Sequence, residues 1–396
     1  MDDRALVATL DWQTEPILDW LAHEGRLIPD LRQQVQALGE QLVAAGAPLM
    51  RIYVGLQVVH PQLVAMAIVW RPGKDAVEVA REHGIDQTSA YIGSPMDELR
   101  QSRRPVRYRL TELPAKHHAT LDDMLAEGAT DYFAMPMPFS RGPLPAVTMS
   151  TNRPGGFTDA DLAKFTRVFN HFAASAEAQI NYRLGATLMD TYLGRHTGER
   201  ILQGLIRRGD GETIRAVLWF SDLRNYTGIS EALAGDQVLD ILNFYFETMG
   251  HALKRQGGEI LKFMGDGVLA IFPVQDAMFL PLACAGALKA ATEALADMDR
   301  MNAGREAADE PPIRFGIGLH VGTVTYGNVG TEDRLDFTVI GPAVNRCARL
   351  QALTKEAGVP ILASAEFNSN CPHPMRAVGT FAMRGVEEPQ EVFTVS

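Results

Sequence analysis

The sequence predicts a two-domain protein of mixed α+β and α/β class, and three observations carry that expectation. Its 396 residues exceed what one ordinary core organises, since domains usually run to about 100–200 residues. A hydrophobic fraction of 46% with 21% charged residues belongs to folded globular chains. Stretches with apolar residues at steps of three and four alternate with short β-branched and aromatic runs bounded by Pro and Gly.

Residues 1 to about 45 read as helical, with Ile17, Leu18, Leu21, Leu31, Val35, Leu38 and Leu42 on helical spacing, and Gly46 and Pro48 closing the region. Leu49–Trp70 and Asp131–Thr151 read as strands of an antiparallel sheet, so residues 1–157 form an α+β domain. Thr158, with Asp161 three residues on, caps a long helix. Its stripe Leu162, Phe165, Phe169, Phe172, Ala176, Ile180 and Leu184 suits either pairing with a second copy or packing on its own domain. Residues 158–212 are therefore a helical linker. In residues 213–396, Ile214–Phe220 is a strand buried on both faces. A helix from Ser230 to Arg255 carries Leu239, Leu242, Phe246, Met249 and Leu253 on one side and ends at Gly257-Gly258. Glu259–Met264 and Val268–Phe272 form a hairpin around Gly265-Asp266-Gly267, of the Asp-Gly type. A helix over Asp276–Met301, strands at Ile313–Val321, Thr323–Val329 and Leu335–Ile340, a helix over Pro342–Glu356 and terminal strands follow. The order β-α-β-β-α-β is ferredoxin-like, a fold that hosts many functions.

Composition narrows those functions. A net charge of −11 disfavours nucleic acid as a partner. No run of 18 apolar residues and no signal-peptide pattern is present, so neither membrane insertion nor secretion is expected. The three cysteines, Cys284, Cys347 and Cys371, have no CxxC spacing and suggest neither disulfides nor a cysteine zinc site, which fits a cytoplasmic location.

Two carboxylates stand at strand ends. Asp222 ends the run Ala216–Ser221, and Asp266 occupies the next hairpin. Each has a plain structural alternative, a turn cap for Asp222 and a hairpin former for Asp266, but together they make a plausible clamp for divalent metals in phosphoryl transfer. Around them, FSDLRNYT (Phe220–Thr227), GEILKFMGDGVLAIF (Gly258–Phe272), GIGLHVGTVTYGNVG (Gly316–Gly330) and DFTVIGPAVNRCARL (Asp336–Leu350) resemble class III adenylate/guanylate cyclases, over residues 184–396.

That resemblance implies conversion of a nucleoside triphosphate, ATP first, into a 3′,5′-cyclic monophosphate and pyrophosphate. It makes Asp222 and Asp266 the ligands of two Mg²⁺ or Mn²⁺ ions, and the backbone of Leu223, Arg224 and Asn225 a cradle for the phosphates. Asn345 and Arg349, four residues apart and hence on one helix face, are implied to orient the ribose and stabilise the transferring phosphorus. Lys262 and Thr338 are implied to read the base. Lys262 can only donate, which suits N1 of adenine, while Thr338 matches a Thr/Ser subgroup common in bacteria and leaves the base less firmly specified. Arg384 stands where relatives place a triphosphate-binding lysine. Because one catalytic domain carries both residue sets, the resemblance implies a homodimer with shared sites.

Asp131–Leu162, DYFAMPMPFSRGPLPAVTMSTNRPGGFTDADL, looks like the last strands and exit helix of a GAF-type sensor, implying a regulatory domain with a small-molecule ligand. It has no Cys for a thioether-linked bilin, and His117-His118 are either metal ligands or solvated loop residues. The alternatives are a cyclase using GTP or a pyrimidine triphosphate and a catalytically silent nucleotide-binding module. The GGDEF hairpin of diguanylate cyclases is not what Met264–Gly267 presents.

Overall fold

A computed structural model of the chain describes residues 11–58, 63–114, 117–142, 144–383 and 388–395. Its compact units divide between Leu188 and Met189.

In the first unit, Asp30 accepts a hydrogen bond from the Gln33 N–H at 2.9 Å and starts α2 (Leu31–Ala44), which follows α1 (Glu15–His23). The expected strands are β1 (Arg51–Gln57), β2 (Leu63–Trp70), β5 (Asp131–Pro136) and β6 (Ala146–Thr151). The structure adds β3 (Val77–Glu82) and β4 (Val106–Arg109), an edge strand rich in charge and a four-residue strand, both too weakly patterned to read from sequence. The sheet order is β3-β2-β1-β6-β5-β4, antiparallel throughout. One face packs against α1, α2 and the first half of α5 (Asp159–Leu193). The other is covered by α3 (Pro95–Ser102) and α4 (Ala119–Ala126) through Leu99, Leu121 and Met124.

The Thr158–Asp161 capping pair forms as read: the Asp161 N–H donates to Thr158 Oγ1 at 3.1 Å and the Thr158 N–H to the Asp161 carboxylate at 2.8 Å. The stripe expected to pair with a second copy is largely consumed at home. Phe165, Phe169, Phe172 and Ala176 are fully buried in this unit's own core, and Leu162, Ile180 and Leu184 stay partly exposed. His117 lies 2.7 Å from Asp122, and His118 accepts from the Thr120 N–H as the cap of α4, so both histidines serve local structure.

The second unit opens with α6 (Arg195–Leu202) and β7 (Gly211–Leu223). Where one helix was expected from Ser230, the chain forms α7 (Tyr226–Ala232), breaks at Leu233-Ala234, and resumes as α8 (Gly235–Arg255). The buried side of α8 is Val238, Ile241, Tyr245, Thr248, Met249, Ala252 and Leu253, so Met249 and Leu253 face the core as expected, with Leu242 and Phe246 packed at its edge, while Leu239 is 59% exposed. Strands β8 (Glu259–Met264) and β9 (Gly267–Val274) close on Gly265-Asp266. The left-handed φ of +65° falls on Gly265, so the turn is of the Gly-X kind, not Asp-Gly, and Gly267 already pairs in the sheet. Helix α9 (Leu280–Ala307) is long and apolar enough to span a bilayer, but Cys284, Ala287, Ala291, Ala294 and Met298 are buried in the core.

One continuous strand, β10 (Phe315–Gly330), replaces the two expected, followed by β11 (Leu335–Ile340), α10 (Pro342–Glu356), β12 (Ile361–Ser364), α11 (Ala365–Asn370), β13 (Met375–Phe381) and β14 (Gln390–Val395). The order β13-β14-β12-β10-β7-β9-β8 contains the ferredoxin-like core β10-β7-β9-β8. Helices α8 and α9 cover one face, and α10 packs on the other against Ala216, Leu218 and Ile271.

His320, on β10, is 3% exposed and lies 2.8 Å from Ser364 Oγ. Burial pulls its imidazole down to about 4. The unfolded chain therefore takes up a proton near pH 6.5 that the folded chain refuses, and this stability is lost as pH falls from about 6.5 towards 4, on the order of 3 kcal/mol. In urea denaturation at pH 7 and pH 4.5, the stability advantage of wild type over His320→Gln should shrink by roughly that amount. A constant difference would refute the buried neutral imidazole.

Candidate active site

Alternation along β7 puts Ala216, Leu218 and Asp222 on the α10 face and Val217, Trp219 and Leu223 on the α8/α9 face. Asp222 lies directly opposite Gly267, so Asp266 comes one residue before its cross-strand partner. A Cβ on Gly267 would meet the Met264 carbonyl at 3.3 Å and stand in ordinary contact with Asp222 Oδ1 at 3.5 Å, so the turn lies close against the carboxylate. The Asp222 carboxyl is pushed up to about 7, first by burial, then by a hydrogen bond to Asp266 and by that group's charge, with the Leu223 N–H pulling the other way. Two carboxyls in contact favour sharing a proton, or a cation that takes its place. Beneath them Tyr245 donates to Ser221 Oγ at 2.8 Å, which fixes this end of β7 on α8.

On the same sheet face, glycines let α10 lie close on β10. A Cβ at Gly318 would come 2.4 Å from the Cys347 carbonyl, and one at Gly322 would come 2.4 Å from the Ala343 Cβ. The Cys347 thiol donates to the Gly318 carbonyl at 3.1 Å. With Ala343, Cys347 and Leu350 turned inward, Asn345 is left exposed and Arg349 half-buried on the outer side.

Lys262 and Thr338, remote in sequence, come from neighbouring edges, β8 and β11. A bulge after Ile260 shifts the register of β8 so that Lys262 pairs with Leu269. Its ammonium forms an ion pair with Asp336, two residues before Thr338. Sequence reasoning missed Asp336. The only signal was its i, i+2 placement with Thr338, since the pairing spans 74 residues.

The phosphate-cradle residues divide. Leu223 is 6% exposed and pairs with Phe315 in the sheet. The Arg224 N–H donates to the Arg314 carbonyl at 2.7 Å, and its guanidinium donates to the Thr354 and Val359 carbonyls at the end of α10, at 3.2 and 3.0 Å. Arg224 is thus committed to structure, contrary to expectation. Asn225, at φ +62°, turns the chain into α7. Arg384 lies outside the described residues.

Residues 212–396 match the family described as the adenylate and guanylate cyclase catalytic domain. This segment is a class III nucleotide cyclase catalytic domain. It is 35% identical over 189 residues to an adenylate cyclase of Anabaena cylindrica, covering 47% of this chain and 36% of that protein. It is 32% identical over 180 residues to adenylate cyclase 1 of Rhizobium meliloti, covering 44% and 26%. The chain thus spans well under half the length of these relatives. The crystal structure of the adenylyl cyclase CyaB from P. aeruginosa is 27% identical, with a TM-score of 0.41, covering 47% of this chain and 96% of that one.

In the cyclase domain, no group of three or more His, Cys, Asp or Glu side chains converges among the described residues. The Asp222–Asp266 pair still fits a hard divalent cation, because it offers oxygen donors only and forms no ion pair among the described residues. Mg²⁺ commonly takes one or two carboxylates and completes its shell with waters and substrate phosphates. A separate cavity of about 410 Å³, lined by Arg224, Met298, Asn302, Arg314 and Pro360, does not include either carboxylate.

Proposed function

We propose that the cyclase domain converts ATP into 3′,5′-cyclic AMP and pyrophosphate in a cytoplasmic homodimer, under control of a GAF-like first unit with a small-molecule ligand. The observation that carries this is the contacting pair Asp222 and Asp266 on the sheet face that also bears α10 with Asn345 and Arg349. Two Mg²⁺ or Mn²⁺ ions held by these carboxylates would supply Lewis acidity at the ribose 3′-hydroxyl and neutralise the triphosphate. Arg349, a permanently charged planar donor, stabilises charge on the transferring phosphorus, and Asn345 orients the ribose. Lys262, steadied by Asp336, donates to N1 of adenine, and the Thr338 hydroxyl accepts from the 6-amino group. Asn225 turns the backbone towards the phosphates, and Arg384 takes the part of the triphosphate-binding lysine of relatives.

The homodimer is supported by exposed Phe263, Met264, Val329, Leu335 and Ile340 around the β8–β9 and β10–β11 hairpins, apolar surface that a second copy would cover. A second reading, a cyclase for GTP or a pyrimidine triphosphate, is favoured by Thr338 alone, whose hydroxyl can donate as well as accept.

Incubating the full chain with equimolar ATP, GTP, CTP and UTP and Mg²⁺ or Mn²⁺, followed by chromatography, should yield cyclic AMP as the main product. Cyclic GMP or a cyclic pyrimidine nucleotide in excess would establish the second reading, and no cyclic product would establish a silent nucleotide-binding module.

A further inference from the structure

The sheet face of the first unit under α3 and α4 carries Arg51, a cation that has no ion pair of its own among the described residues. Strand register aligns Arg51 of β1 opposite Ser150 of β6, and Ser150 opposite Tyr132 of β5, so the three side chains form one row on one face. Tyr53 and Thr148 form the next row. The Arg51 guanidinium lies 5.1 Å from the Tyr53 ring centroid, and among the described residues its Nη1 reaches the Met124 thioether, at 3.9 Å. Among the described residues its Nε is buried without a hydrogen-bond partner, and so is the Oγ of Ser150, which is 1% exposed.

The nearby acid is already taken. Glu127, at the end of α4, accepts through both oxygens from Arg71, which directly follows β2, at 3.0 Å each. Two arginines therefore share one carboxylate, and burial, which weighs most against the Arg51 cation, and the Arg71 charge outweigh the support it draws from Tyr132, Tyr53 and Glu127. A desolvated guanidinium without an anion is costly, as is an unpaired buried hydroxyl. Both costs fall when an oxyanion accepts from the guanidinium and from Oγ, because arginine binds carboxylate and phosphate through charge-assisted hydrogen bonds.

We propose that the first unit binds a small oxyanion, a carboxylate or phosphate either free or on a small molecule, between Arg51 and Ser150, with Tyr53, Thr148 and Tyr132 as its walls. Such a site supplies a chemistry for the ligand assigned above to this unit. Because its test reads binding and not turnover, either reading can fail while the other stands.

The test is thermal unfolding and amide hydrogen exchange of the full chain in millimolar inorganic phosphate, acetate or malonate, each against sodium chloride at equal ionic strength. At least one oxyanion should raise Tm saturably and slow exchange in the β1, β6 and α4 peptides. A response to phosphate alone points to a phosphoryl group, and a response to acetate or malonate to a carboxylate. Arg51→Met should abolish the effect and, without added anion, unfold at no lower temperature than wild type, because it removes a charge that lacks a partner. Ser150→Ala should weaken binding several-fold with unchanged Tm. The proposal is overturned if no oxyanion differs from chloride, if Arg51→Met keeps the response, or if Arg51→Met alone lowers Tm markedly, which would make Arg51 a structural residue.

Discussion

Replacing Asp222 or Asp266 by asparagine should lower cyclic nucleotide formation by about 10³-fold or more, a loss of at least about 4 kcal/mol of transition-state stabilisation. The folded state should survive. The Asp222 carboxyl is pushed up to about 7 by burial and by its neighbour. An amide removes that repulsion and keeps the shape, so thermal unfolding without divalent cation should occur at the same or a higher temperature than in wild type. Inactivity together with normal or raised stability separates loss of the cation clamp from misfolding. An asparagine variant with near-normal turnover would remove the carboxylates from the mechanism. A fully active chain under exhaustive chelation would do the same.

Arg349→Ala should cost about 10²–10³-fold in kcat with a smaller change in KM, because the proposed role sets the guanidinium where charge develops during transfer and not in ground-state binding. Arg349 projects from the side of α10 away from Cys347 and Leu350, so truncation leaves the packing on β10 intact. Arg349→Lys should recover little, since an ammonium cannot reproduce a planar two-pronged contact. An equal loss in Arg224→Ala would have a different origin. Arg224 holds the carbonyls of Thr354 and Val359 at the end of α10, and its removal should lower Tm.

Much of this architecture is legible from local chemistry. Helix α10 has the bounds the sequence suggests, Pro342–Glu356, because proline fixes the first turn and Gly358, at φ +68°, allows the exit. The neighbourhood of Asp222 and Asp266 is legible too, since a strand and the adjacent hairpin bring them together with no long-range information. Other features depend on the assembled fold. The stripe of α5 looks the same whether it meets a second helix or its own sheet, and Phe165, Phe169 and Phe172 meet the sheet. Leu239 has the helical spacing of a core residue, but in the first turns of α8 the core is met by Val238 and Ile241 and Leu239 stays exposed. The Lys262–Asp336 pair arises only when β8 and β11 come together, and the commitment of Arg224 depends on where α10 ends.

The central claim is that two copies of the chain build each site, one giving Asp222 and Asp266 and the other Asn345 and Arg349. The direct measurement is the turnover of an equal mixture of Asp266→Ala and Arg349→Ala proteins, each inactive alone, after exchange of subunits. Half of the dimers would then be mixed, each with one intact site of two, so activity should return to roughly a quarter of wild type. Mixed dimers that are verified as folded and exchanged, yet show no turnover above the separate variants, would contradict the shared site.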